Sequence, residues 1–483
     1  MRYRYFLVPA AVLTVALGFA GPAGAATGGP PVQVAGAADV AGTSPYVGEN
    51  CNIPTSGWVA SGGNEAEPSV AVNPRNPANR VAAWMDPTRS SVNAAYTDNG
   101  GRTWTQSRPE GIDACGGNFT QPWEASGDVW VSFGPDGTVY FTTLAWAHFE
   151  TAPTSDYVSV VYTSVSRDGG KTWSHATLVS PADATADKDM IVADPNKAGT
   201  VYDVWDNAGF GVVAPPRGAN QLMFSKSTDW GRTWTNTTVA AFPPDQSASD
   251  SQLSVLKNGT LVDTAVSGNT ILAYRSTDGG STWSGAYTVA QLTSGSGPAL
   301  CGASYRGGGS FGADAVVGPH SIALVIDDGA AAAAGKGELI LARSDDGGIT
   351  WTTRPILRTR YLLLLASVAG TPNGKMGLVY DEIDASRVSC TGQAVVPTRI
   401  RVALSVNGGR TWSAAATVGA SWFNQATALV APQYFLGDYQ NIVADPGVNG
   451  GFVSVTVQGQ PLPGGSQGPS ITGNTGVLVA SER

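Results

Sequence analysis

Hydrophobic residues in this chain gather in short runs that end at Gly, Asn, Asp or Pro, and many runs alternate apolar with polar positions. The segment Val158-Ser-Val-Val-Tyr-Thr-Ser-Val165 shows the pattern. A period of two with β-branched and aromatic residues, bounded by turn formers, predicts strands rather than helices. With 61 Gly and 30 Pro in 483 residues and no triplet period, many tight turns are expected and long helices are not.

The runs repeat in pairs. Two short apolar strands flank a Gly-, Asn- or Pro-containing turn at 70–84, 129–142, 191–205, 252–264, 314–326, 363–380 and 442–457. Downstream of six of these hairpins stands a second motif, Ser/Thr-x-Asp/Asn-x-Gly-x-Thr-Trp. It begins at Thr97, Ser166, Ser227, Ser276, Ser344 and Ser405 and closes on Trp104, Trp173, Trp234, Trp283, Trp351 and Trp412. Asp168 can accept hydrogen bonds from its own turn, Gly170 can take a positive φ, and Trp173 plugs the unit. Asn99 and Asn407 replace the acid in two copies, where an amide oxygen can accept the same bonds. An inner hairpin followed by an outer hairpin makes a four-stranded propeller blade. The expected fold is an all-β propeller of seven such blades, or six if one hairpin is an insertion. The last unit needs a fourth strand, which a segment around 51–60 is expected to supply.

Composition narrows the partners. A net charge of −9 with only 13% charged residues leaves no basic footprint for duplex nucleic acid. Arg2 and Arg4, an apolar run from Phe6 to Ala20 and the small residues Ala23-Gly24-Ala25 read as a signal peptide over 1–25. Residues 26–48 read as a flexible leader, and 49–483 as one propeller domain, secreted, monomeric and not membrane-bound. Four cysteines in an exported chain are expected to pair as Cys51–Cys115 and Cys301–Cys390. With no Cys-x-x-Cys and only His148, His175 and His320, a zinc site or a Cys/His nucleophile is not expected.

The six boxes make the chain resemble the Asp-box (BNR-repeat) superfamily, best known from sialidases, from about Glu65 onward. The resemblance implies the propeller fold and, among several activities, a sialidase-like glycoside hydrolase. Such an enzyme carries an arginine triad for the substrate carboxylate, a Tyr nucleophile with a Glu, and an Asp acid/base. No Phe/Tyr-Arg-Ile-Pro motif precedes the first box here. The resemblance also places the box turns on the face opposite the ligand mouth, so Asp168 and Asp229 are expected to be structural.

Candidate chemistry therefore lies where inner strands begin. Acids recur there: Glu65, Glu67, Glu124, Asp128, Asp187, Asp189, Asp250, Asp314 and Asp438. Such a ring can serve acid–base hydrolysis of a glycosidic bond or hold calcium, although no cofactor is required. Tyr439 is the preferred nucleophile, beside Asp438, with Tyr380 next to Glu382 as competitor. Asp86, Glu124, Glu382 and His148 complete the catalytic candidates. Lys188, Arg306, Arg360, Trp84, Trp205 and Asp206 are the expected substrate contacts. The leading expectation is exo-hydrolysis of a terminal, anionic sugar of a glycan. A lyase acting on uronic-acid glycans through His148 or Tyr439, and a non-catalytic sugar-binding propeller, are the alternatives.

Overall fold

The computed structural model describes residues 32–41, 65–86, 91–109, 111–112, 123, 125–149, 156–207, 220–243, 245–293, 299–304, 315–327, 331, 334–428, 434–447, 451–466 and 475–482. The expected signal segment, Cys51, Cys115, Glu124, Arg306, Asp314 and the side chain of His148 lie outside the described residues.

The fold is an all-β propeller of four-stranded antiparallel blades. The first is Ala66–Val72, Arg80–Asp86, Ser91–Thr97 and Thr105–Ser107; the second is Ala125–Phe133, Val139–Phe149, Asp156–Ser166 and Thr177–Leu178. The third runs through Ala186–Ala193, Val201–Asn207, Gln221–Ser227 and Thr235–Ala241. The fourth is Ala248–Val255, Leu261–Ser267, Thr270–Ser276 and Ser284–Gln291. The fifth is Ala315–Val316, Ile322–Asp327, Gly337–Ser344 and Thr352–Thr359. In each, sequence order is also spatial order.

Five blades, not the expected seven, are self-contained sheets. The remaining strands form a single eight-stranded sheet. Its first half is Leu362–Gly370, Met376–Ile383, Pro397–Ser405 and Ala416–Asn424. Its second half is Asn441–Asp445, Gly451–Pro461, Thr475–Glu482 and Val34–Asp39. The halves fuse because Gly451–Pro461 outruns its neighbour and pairs Pro461 with Phe423 and Gln460 with Asn424. The strand that completes the sheet is Val34–Asp39, antiparallel to Thr475–Glu482, and not the expected 51–60 segment. It arises within the stretch read from sequence as a flexible leader.

Apolar faces of neighbouring sheets share one core, as where Val70, Ala82 and Trp84 of the first blade meet Val453, Val455 and Val477 of the last sheet. The ring closes through the same contact. Arg80 pairs with Asp445 at 2.8 Å, both side chains buried, and the Asn441 side chain accepts from the Val70 amide at 3.1 Å.

The repeated turns at the ends of the third strands behave alike. In the second blade the Ser166 hydroxyl donates to Asp168 (2.8 Å) and accepts from Gly170 N–H (2.8 Å), while Thr172 donates to Asp168 from its amide (2.9 Å) and hydroxyl (2.6 Å). Asn407 accepts the Thr411 amide at 2.9 Å, so the amide-bearing copy keeps the turn. Gly170 has φ +91°, and a Cβ there would stand 2.5 Å from a methyl of Val81 on the preceding blade. Strand registers place these turns beside the ends of the innermost strands and away from their starts.

Candidate functional site

The innermost strands begin at one mouth, and five of them share an irregularity there. Register slips between Ala66 and Ser69, Gly127 and Trp130, Asp187 and Met190, Ser249 and Gln252, and Leu364 and Ser367. Inside each slip one non-glycine residue takes the left-handed region: Glu67 (φ 51°), Asp128 (52°), Lys188 (54°), Asp250 (59°) and Leu365 (52°). Such residues cost on the order of 1–3 kcal/mol each, and bulges of this kind re-aim a side chain. Four of the five are charged, and they gather at the hub.

Lys188 is the centre of the cluster. Its ammonium is ion-paired with Asp438, and its amide donates to Asp128 at 3.3 Å. The Asp438 amide donates to Glu67 at 3.2 Å. Gly437 makes that approach possible, since a Cβ there would sit 2.6 Å from the Glu67 nitrogen at φ +127°. Burial alone would lower the Lys188 pKa, but Asp438, Asp128, Glu67 and Asp250 outweigh it and hold the pKa well above the usual lysine range.

The acids move up as well, which favours their neutral form where it holds the lysine charged. Burial, then Asp128 and Asp438, push Glu67 well up against the pull of Lys188. Asp187, which retains some solvent exposure, is raised to about 7 by burial and by Asp128, Asp250 and Asp438. Behind them lie Asp189 and Asp206, both buried and with neither carboxylate oxygen hydrogen-bonded among the described residues. Asp203, which accepts the Thr142 hydroxyl at 2.9 Å, raises Asp189 further. Deeper in the wall, burial lifts Asp263 to about 7 and Asp381 to about 8.

Tyr439 faces this cluster but is engaged otherwise. Its ring stacks on Trp130 at 4.8 Å, its hydroxyl donates to the Val129 carbonyl at 3.2 Å, and burial and the surrounding acids push its pKa well up. A phenol held in that way is poorly placed to become a nucleophile. Tyr380 is sealed in the core, with its pKa raised by burial and by Glu382. Glu382 is bonded by Arg399 at 2.7 Å and approached by Arg401 at 3.7 Å, so it is committed to arginines of the adjacent strand. Trp84 and Trp205 are buried in inter-blade cores, so neither offers a ring face to a sugar. Asp86 is buried at the end of the second strand of its blade. Arg360 is exposed and hydrogen-bonds Tyr361 at 2.9 Å.

Sequence reasoning thus located Glu67, Asp128, Asp187, Lys188, Asp189, Asp206, Asp250 and Asp438, which the fold brings together. It missed Asp203 and Asp263, although a charged residue inside the apolar runs Val201–Asn207 and Leu261–Ser267 was a readable signal. Among the described residues no three His, Cys, Asp or Glu side chains are grouped so as to hold a metal ion, and no helix is long and apolar enough to cross a membrane. The Cys301–Cys390 disulfide forms as expected, with a Cα separation of 5.1 Å.

No curated protein matches this sequence. Among solved structures it is similar to a protein of unknown function from Dyadobacter fermentans: 15% identity, 77% of this chain and 99% of that one, TM-score 0.44. It is also similar to the Penicillium chrysogenum α-L-arabinanase complexed with arabinobiose: 11% identity, 93% and 98% covered, TM-score 0.42. A third is the Trypanosoma rangeli sialidase in complex with sialic acid: 13% identity, 79% and 60% covered, TM-score 0.43. The family described as BNR repeat-like domain matches residues 135–380, about half of the sequence. This chain belongs to the BNR repeat-like domain family.

Proposed function

We propose that the protein is an exported glycoside hydrolase that cleaves a bond to a neutral sugar at the hub mouth. The observation that carries this reading is the convergence of Glu67, Asp128, Asp187, Asp250 and Asp438 around Lys188, at the starts of consecutive inner strands. Asp187, at about 7, keeps a proton near neutral pH and is the general acid for the leaving oxygen. Asp128 and Asp250, on the bulges of the flanking strands, supply the opposing carboxylate of a two-carboxylate plan. So many carboxylates repel an anionic sugar ring from the hub, which favours a neutral residue at the point of cleavage. The Cys301–Cys390 disulfide supports export.

The test is a screen of the purified full chain against neutral, sialyl and uronyl glycosides, following released reducing sugar. Release from a neutral glycoside is expected, and Asp187→Asn should lower it at least 100-fold or so. Cleavage confined to sialyl or uronyl substrates, or full activity in Asp187→Asn, would overturn the proposal.

A further inference from the structure

On the mouth side of the eight-stranded sheet, pairing puts Leu363 beside Glu382 and Glu382 beside Arg399, one row that runs outward from the hub bulge at Leu365. The hub and this row are tied together by Gln440, whose amide donates to the Leu365 carbonyl at 2.8 Å and to Asp381 at 3.2 Å. At the outer end of the row guanidinium groups and aromatic rings alternate. Arg399 lies 4.8 Å from the Tyr361 ring and 4.5 Å from the Trp422 ring, Arg360 lies 4.8 Å from Tyr361, and Arg387 lies 5.0 Å from Trp422.

Stacking engages the flat face of a guanidinium and leaves its N–H edge for a planar anion. Arg399 spends its edge on Glu382. Arg360 makes one bond, to Tyr361, and the Arg387 guanidinium makes none among the described residues; both are exposed. The backbone around Arg387 is fixed on both sides. Asp384 caps its short helical turn, accepting from the Ser386 amide at 3.3 Å, and Cys390 is bound to Cys301 beyond it. Two pre-oriented guanidinium forks on a chain of net charge −9 form a local cationic strip beside an acidic hub.

We infer that this arginine–aromatic ladder is a subsite for carboxylate groups of an acidic glycan, with Arg360 and Arg387 as its binding residues. This rests on the hub being the cleavage site: a glycan seated there with a neutral residue at the acids would lay a uronate residue on the ladder. Bidentate guanidinium–carboxylate pairing supplies both affinity and the planar selectivity.

The experiment measures binding of a hexasaccharide of alternating neutral and uronate residues to the full chain by calorimetry at low salt, against a neutral galactan hexasaccharide and a sulfated hexasaccharide. Tighter binding of the uronate probe, weakened by added salt, is expected. The double variant Arg360→Ala/Arg387→Ala should lose about tenfold or more of that affinity, and Arg360→Lys/Arg387→Lys should recover only part of it, because a point charge replaces a fork. No uronate binding by the wild type, an unchanged affinity in the double alanine variant, or equal binding of the sulfated probe would overturn the assignment. Asp187→Asn separates the two readings. Uronate binding kept with hydrolysis lost supports both, while hydrolysis kept with binding intact refutes the hub alone.

Discussion

Lys188 and Asp438 meet as an ion pair at the hub although 250 residues separate them, and their side chains are only 13% and 12% exposed. Lys188→Met leaves Glu67, Asp128 and Asp438 facing one another without a cation and should cost about 3 kcal/mol at neutral pH. Because Lys188 titrates above its unfolded value, its contribution is complete below about 10.4 and is lost as pH rises through the higher folded value. Urea denaturation from pH 7 to 11 reads both effects. An unchanged midpoint in the variant would show that the pair does not support the hub.

Asp187 shifts stability in the same direction with pH, but in a lower window. Its folded value near 7 exceeds the unfolded value of about 3.9, so stability falls as pH rises between them. Thermal melts of Asp187→Asn should match the wild type at pH 4 and exceed it at pH 8. In the proposed reaction the wild-type kcat should fall as pH rises through about 7, where the acid loses its proton. A pH-independent kcat across that range would remove Asp187 from the role.

The repeated turns are predicted to be scaffolding only. Hydrogen bonds from Thr350 and Ser344 outweigh burial and hold Asp346 at about 2. Its contribution is present above the unfolded value of about 3.9 and is lost as pH falls through about 2. Asp346 is exposed, so screening limits the cost of Asp346→Ala to about 1 kcal/mol at pH 7. Asp346→Asn should recover most of it, as Asn99 and Asn407 do in their own turns. Activity per folded molecule should not change, because the turn stands on the face away from the mouth.

The disulfide couples stability to the outer subsite. Cys301 and Cys390 span 89 residues of sequence, and Cys301→Ser/Cys390→Ser should cost about 2–4 kcal/mol by chemical denaturation. The segment bearing Arg387 then loses one anchor, so affinity for the uronate hexasaccharide should drop while it stays folded. Full affinity in the variant would place the anchoring elsewhere.

Much of this was legible in the residues. Six Trp-closed turns and the paired apolar runs marked the blades, and acids recurring at inner-strand starts marked the hub. The bulges were not legible, because Glu67, Asp128, Lys188, Asp250 and Leu365 share a backbone conformation and not a residue type. Leu365 breaks the acidic pattern for that reason. Val34–Asp39 escaped notice because Val-Ala-Gly-Ala-Ala-Asp carries little strand propensity of its own, and its partner Thr475–Glu482 imposes the extended form. The ladder was hidden too, since Tyr361, Arg387, Arg399 and Trp422 come from separate segments that only sheet pairing unites.

The pairing of Val34–Asp39 with Thr475–Glu482 also sets the order of events during synthesis. One half of this clasp leaves the ribosome before any blade exists, and the other follows only after nearly the whole wheel has been made. Until then the last sheet keeps an unpaired edge, so a nascent or truncated chain presents a sticky rim to chaperones, proteases and its own copies.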